Sequence, residues 1–290
     1  MRIASWSWGG RLHAGIVSAD GREATPLALP DASSGALSII RSVVEGSGLP
    51  PPAGARLPLE ALTLVAPLPR PLRSILCVGR NYRSHAAELA SSVFRDSVAN
   101  EDPWPIVFTK FGECVIGPYD PVRLPGPGVT AQIDYESELA VVIGRGGRDI
   151  PASRAMDHVF GYTVVNDVSA RDVQVRHKQW DLGKSFDTFC PMGPWITTAD
   201  ELDGRDTRVR GWVNGELRQD GHTRDMIFAI PALIETCSRG ITLYPGDVIA
   251  TGTPAGVGMG FDPPKWLGHG DVVRIEIDGI GAIENRFQLH

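Results

Sequence analysis

The chain has 290 residues, 42% of them hydrophobic and 21% charged, with a formal net charge of −6. That usage is ordinary for a globular protein, and the length is ample to bury a core without disulfides or structural metals. The acidic balance, without any Lys/Arg run or basic stripe, argues against a nucleic-acid role, and no stretch approaches the roughly 18 apolar residues of a membrane span.

The start, MRIASWSWGG, lacks the charged-then-apolar pattern of a secretory signal, so a cytoplasmic location is expected. Residues 1 to about 30 alternate short β-like runs with turns at Trp8-Gly9-Gly10 and Asp20-Gly21, which predicts a small antiparallel sheet. Ala36 to Val44 reads as one short helix, and Gly46 to Gly54 is a linker by composition. A boundary near residue 70 then separates a small N-terminal domain (1–70) from a catalytic domain (71–290). The second part opens with the apolar strand Ser74–Gly79, followed by a helix over Asn81–Ala90 that carries His85 and Glu88. Strands punctuated by Pro and Gly fill most of the rest, including Val209–Val213 and Val272–Ile277. Asp225–Cys237 reads as a helix, with Ile227, Ile230, Leu233 and Ile234 at helical spacing. The order is mostly β with few helices, which argues against a parallel alternating α/β barrel and for a β-rich α+β fold. Cys77, Cys114, Cys190 and Cys237 are far apart and never form Cys-x-x-Cys, which reads as buried, reduced thiols.

Chemistry concentrates at Ile133–Gly144. Leu139 to Ile143 is an apolar strand, and Glu136 and Glu138 both stand just before it. Strand side chains alternate faces, so these two carboxylates project together. Burying adjacent like charges costs several kcal/mol each unless a cation compensates, and hard divalent cations prefer such oxygen ligands. The same Glu-x-Glu pattern also occurs on the wet face of edge strands. A second β-branched strand, Tyr162–Val168, carries Asp167 at its end, which offers a third carboxylate.

These strings occur together with Gly79-Arg80-Asn81-Tyr82, Ala170-Arg171-Asp172-Val173-Gln174, Lys184-Ser185-Phe186-Asp187 and Thr251-Gly252-Thr253-Pro254 in one order. In that order they resemble the fumarylacetoacetate hydrolase family over roughly residues 70 to 290. The resemblance implies a mixed β-sandwich roll and a homodimer. It also implies Mg²⁺ or Mn²⁺ held at Glu136, Glu138 and Asp167, and 2-oxo or 2,4-dioxo acid substrates. Lys184 matches the family lysine that supports the anionic substrate, and Thr253 matches the threonine that binds its carboxylate. Arg80, Tyr82, Arg171 and Gln174 are further candidate substrate contacts. Arg171 has the plainer alternative of pairing with Asp172 or Asp167.

His85 and Glu88, three apart on a helix, share one face, as a carboxylate orienting an imidazole base would. Gly256-Val257-Gly258-Met259-Gly260 lacks the full dinucleotide-loop pattern, and no helix follows it, so tight loop packing is the expected reason for its glycines. Residues 91–104 form a polar insertion of the kind that serves as a lid or stays disordered, and its Arg95 is a candidate to meet a distal carboxylate. The expected activity is metal-dependent hydrolysis of the C–C bond of an acylpyruvate or fumarylpyruvate through an enolate. Oxaloacetate decarboxylation, or isomerisation of a 2-hydroxy-diene-dioate, would use the same site. A metal-stabilised dimeric scaffold is the non-enzymatic alternative.

Overall fold

The computed structural model describes residues 1–89, 104–126, 128–176 and 178–289. Of the 91–104 insertion only Trp104 is among them, so the lid and Arg95 lie outside the described residues.

The N-terminal segment forms β1 (Arg2–Trp8), β2 (Arg11–Val17) and β3 (Glu23–Pro26), then α1 (Leu37–Val44), β4 (Leu57–Pro58) and β5 (Thr63–Val65). Gly9 and Gly10, both with positive φ, make the two-residue turn that folds β1 back on β2, a conformation nearly free of cost for glycine. After residue 70 follow β6 (Ile75–Gly79), α2 (Arg83–Leu89), β7 (Ile106–Lys110), β8 (Val115–Ile116), β9 (Val122–Leu124), β10 (Ile133–Asp134), β11 (Ser137–Ile143), β12 (Val159–Asn166) and β13 (Ser169–Ala170). The chain continues through α3 (Arg171–Arg176), α4 (Asp181–Lys184), β14 (Cys190–Thr198), β15 (Arg208–Val213), β16 (Glu216–His222), α5 (Ile230–Ser238), β17 (Val248–Ala250), β18 (Val272–Ile277) and β19 (Gly281–Leu289).

The described strands make three sheets. The largest runs β4-β3-β2-β1-β14-β12-β11-β17-β6-β7, with β5 on β1 and β8 on β14. A five-stranded sheet runs β16-β15-β18-β19-β9, and β10 pairs with β13. Most neighbours are antiparallel, while β17–β6, β14–β8 and β19–β9 are parallel. This is a mixed, sheet-rich α+β fold with open sheets and few helices, as the strand-heavy sequence predicts. The large sheet runs across residue 70 without a break, because β1 pairs with β14 as well as with β2.

Strand β11 lies inside that sheet between β12 and β17, with every residue buried. Its odd-numbered Leu139, Val141 and Ile143 pack in the core that also takes Val209, Ile275, Ile283 and Phe287 of the five-stranded sheet. Its even-numbered Ala140 and Val142 pack with Ile3, Leu37, Ile39 and Ile40 of the N-terminal segment. One residue of slip would exchange the two faces, so register is fixed by two cores at once.

Several elements differ from the sequence expectation in their limits; α2 starts at Arg83 rather than Asn81. The last helix begins at Ile230 rather than Asp225, because Pro231 in its first turn favours initiation there. The preceding residues are drawn into other bonds: Ile227 N–H donates to the Asn81 carbonyl at 2.7 Å, and Phe228 N–H to Asn81 Oδ1 at 2.8 Å. The Tyr162 strand begins earlier, at Val159, and ends at Asn166, one residue short of Asp167. All four cysteines are free and buried.

Candidate active site

The ribbon carrying the carboxylates is interrupted where they stand. β11 pairs with β12 up to Ser137 opposite Asn166, and pairing resumes as β10 with β13, Asp134 opposite Ser169. Between the two ladders the Asp167 N–H donates to the Glu136 carbonyl at 3.0 Å, and the Glu136 N–H to Asn166 Oδ1 at 3.1 Å. The backbone is thereby satisfied, and Glu136, Glu138 and Asp167 converge, one carboxylate oxygen of each within 4.8 Å of the others. All three are buried.

Cations surround them. Lys184, at the end of α4, donates from Nζ to Glu136 Oε2 at 2.6 Å and Asp167 Oδ2 at 2.8 Å. Arg171, first residue of α3, reaches Glu136 Oε1 at 2.7 Å, Asp134 Oδ2 at 2.9 Å and Gln174 Oε1 at 3.1 Å. Its partners are therefore Glu136 and Asp134 rather than the Asp172 or Asp167 that sequence offered. Lys110 Nζ lies 2.8 Å from Asp167 Oδ1 without the alignment of a hydrogen bond, while it donates to the carbonyls of Val168 and Lys184. Glu138 Oε2 accepts the Gly252 N–H at 2.9 Å.

The charges are unequally distributed. Burial alone would raise the Glu136 carboxyl, but Lys184 and Arg171 hold it below the usual carboxylate range. For Glu138, Lys184 and the Gly252 N–H work in the same sense but are outweighed. Burial, with the negative charges of Asp167 and Glu136, pushes it well above that range. Asp134, Glu136 and Asp167 are each paired with Lys110, Arg171 or Lys184, whereas Glu138 makes no ion pair among the described residues. An all-oxygen donor set, an Asp167 oxygen without an aligned hydrogen bond and a Glu138 carboxylate disfavoured by burial and its anionic neighbours fit a hard divalent cation.

Helix α2 carries His85, which lines the same cleft, and Glu88 one turn on. His85 Nδ1 lies 3.0 Å from Glu88 Oε2, and Glu88 Oε1 accepts the Gly256 N–H at 3.0 Å. The chain enters α2 through Arg80, whose φ of 56° lies in the left-handed region that non-glycine residues seldom adopt. The cleft is lined by Arg80, His85, Glu136, Glu138, Arg171, Gln174, Lys184 and Thr253, with Val78, Gly79, Phe108 and Trp180 completing its wall. Asp167 and Glu88 touch lining residues from behind. Tyr82 is not part of the wall; it is buried, and its hydroxyl has no partner among the described residues. The Thr253 hydroxyl donates to the Ser137 carbonyl at 3.1 Å and accepts from Gln219 Nε2 at 2.8 Å.

Sequence reading passed over Lys110, Asp134, Phe108, Trp180 and Gln219. Asp134 carried a usable signal, since it has the strand parity of Glu136 and Glu138. Lys110 and Gln219 carried none, because their partners are 57 or more residues away for Lys110 and up to 82 for the Ser137–Gln219 bond.

The fumarylacetoacetate (FAA) hydrolase C-terminal family matches residues 74–288. Oxaloacetate tautomerase YisK of Bacillus subtilis is 52% identical over 229 residues, 79% of this chain and 74% of that protein. The human mitochondrial oxaloacetate tautomerase FAHD2A is 46% identical over 233 residues, covering 79% of this chain and 71% of its own. Among solved structures, a fumarylacetoacetate hydrolase from Exiguobacterium antarcticum superposes over all of both chains with a TM-score of 0.84 and 37% identity. A 2-hydroxyhepta-2,4-diene-1,7-dioate isomerase from Mycobacterium marinum gives 0.79 and 34%, over all of this chain and 98% of that one. The length of the family match, together with a shared architecture from end to end, makes this chain a member of the fumarylacetoacetate hydrolase family.

Proposed function

We propose that the protein is a divalent-metal-dependent enzyme that interconverts the keto and enol forms of oxaloacetate or a closely similar 2-oxo diacid. The observation that carries this reading is the meeting, in one cleft, of three clustered carboxylates, a buried ammonium and a carboxylate-held imidazole. Its support for oxaloacetate is the 52% identity to a protein named an oxaloacetate tautomerase.

Glu136, Glu138 and Asp167 would hold Mg²⁺ or Mn²⁺, which supplies Lewis-acid chemistry toward a 2-oxo acid. Tautomerisation then asks little of the protein: one proton leaves C3 and one arrives on the C2 oxygen. His85 is the group for the first transfer. Its Nδ1 is engaged by Glu88, which fixes the tautomer and leaves Nε2 for the proton. Lys184 places a positive charge where the C2 oxygen becomes anionic. Arg171, Gln174, Arg80 and Thr253 line the cleft as partners for the substrate carboxylates. The proposal includes a homodimer, for which edge strand β7 offers exposed Ile106 and Val107.

Hydrolysis of an acylpyruvate is the second reading. It is favoured by the His85–Glu88 pair, which is equally suited to activating water, and by the likeness to a protein named a fumarylacetoacetate hydrolase.

The deciding experiment follows loss of the oxaloacetate enol and release of pyruvate from acetylpyruvate and oxaloacetate, with EDTA, Mg²⁺ and Mn²⁺, on wild type and Glu136→Ala. Metal-dependent tautomerisation that falls at least about a hundredfold in the variant is the expected result. Faster metal-dependent cleavage of acetylpyruvate would transfer the reading to hydrolysis. A protein whose melting temperature is unmoved by Mg²⁺, alone or with oxalate, has no such site.

A further inference from the structure

The run Gly256–Gly260 has no reactive side chain, yet both arms of the site end on it. Glu88 Oε1 accepts the Gly256 N–H at 3.0 Å while Oε2 holds His85. Asp134 Oδ1 accepts the Gly258 N–H at 2.6 Å, Oδ2 accepts the Met259 N–H at 3.2 Å, and the same Oδ2 holds Arg171, which reaches Glu136. The imidazole and the carboxylate cluster are thus referenced to one short loop.

Within that loop Gly260 is unlike Gly256. Gly256 has φ +104°, and a Cβ there would lie 1.8 Å from the Arg218 carbonyl oxygen, so a side chain would require the backbone to move. Gly260 has no left-handed φ. The three atoms nearest a Cβ there all belong to Glu88: Oε1 at 2.0 Å, Cδ at 2.2 Å and Cγ at 2.6 Å. A carboxyl group at the end of a side chain can swing aside, so alanine at 260 would leave the loop folded and expel Glu88 from its seat.

We propose that Gly260 is a positioning residue: by carrying no side chain it seats the Glu88 carboxylate between the Gly256 amide and the His85 imidazole, and so sets the orientation of the ring. The proposal rests on His85 being the proton-transfer group, and acts through Glu88 alone. It therefore makes a specific claim about coupling. Residues that work through one another show non-additive effects, whereas independent loosening of a loop would multiply.

The test measures kcat for oxaloacetate tautomerisation on wild type, Gly260→Ala, Glu88→Ala and the double variant, with calorimetric affinity for Mg²⁺ and oxalate on each. Gly260→Ala is expected to lose at least about tenfold in kcat, comparable to Glu88→Ala, with the double variant no slower than Glu88→Ala. Mg²⁺ and oxalate affinities should stay within about twofold of wild type. Wild-type kcat in Gly260→Ala beside an impaired Glu88→Ala overturns the positioning role while leaving the reading of His85 intact. A double variant that multiplies the two losses, or weakened oxalate binding in Gly260→Ala, does the same. Wild-type turnover in Glu88→Ala removes both.

Discussion

Arg171 spends its guanidinium on three acceptors at once, Asp134, Glu136 and Gln174, from a position 3% exposed. A lysine is a point charge on a flexible stem and cannot reproduce that planar fork. Arg171→Lys is therefore expected to keep a folded protein but lower turnover at least about tenfold, as measured by steady-state kinetics. Arg171→Ala leaves two buried carboxylates without their partner and should cost about 3–5 kcal/mol in urea unfolding. At this scale the sequence was most legible where residues are neighbours along the chain. The Glu136/Glu138 parity and the His85/Glu88 spacing follow from strand and helix geometry; His85 and Glu88 bond one turn apart as expected, and Glu136 and Glu138 converge although Glu136 stands in the gap between β10 and β11. The role of Asp134 as the acceptor shared by Arg171 and the glycine loop depends on segments 37 and 124 residues away. Strand parity marks Asp134 as sharing a face with Glu136 and Glu138, but no local pattern names its two partners.

Between elements, the close approach of β6 to the segment entering α4 shapes the cleft. Gly79, the last residue of β6, faces Trp180, and a Cβ there would lie 2.6 Å from the indole Cζ3 and 3.1 Å from Cη2. Trp180 meets Phe108 of β7 edge-on at 5.2 Å, and Lys184 Nζ lies 4.9 Å over the same Phe108 ring. Gly79→Ala should thus push the indole against the Phe108–Lys184 contact and raise KM for oxaloacetate about tenfold. The clashing atoms belong to the six-membered ring of the indole, so Gly79→Ala/Trp180→Phe should recover most of the loss; no recovery would show that Gly79 acts elsewhere. Strand elements were legible because apolar runs bounded by Gly and Pro are strong local signals. The start of α5 was not, since residues 225–229 continue an apolar pattern but are captured by Asn81, 147 residues distant from Phe228.

At the scale of the whole molecule, the sequence marks a compositional division near residue 70, and the large sheet continues across it. The β1–β14 pairing joins residues 195 apart in Arg2 and Thr197, and such a long-range choice has no signature in either segment. The N-terminal segment also supplies Ile3, Leu37, Ile39 and Ile40 to the core against which Ala140 and Val142 of β11 pack. A chain beginning at residue 71 would expose that apolar face and the edge of β14. It is expected to be insoluble or to lose cooperative thermal unfolding, and a soluble fragment with wild-type turnover would show that the N-terminal segment is dispensable. The sources of the site residues divide along the same architecture. Glu136, Glu138 and Asp167 come from the buried ribbon at the centre of the sheet, whereas His85, Arg171, Gln174, Lys184 and Thr253 come from short helices and turns at its margin. Evolution can therefore exchange the marginal set, and with it the bond broken or the proton's destination, while the carboxylate cluster proposed to chelate the metal is inherited intact. A divergence of reaction type on a constant scaffold is the natural history such a layout permits.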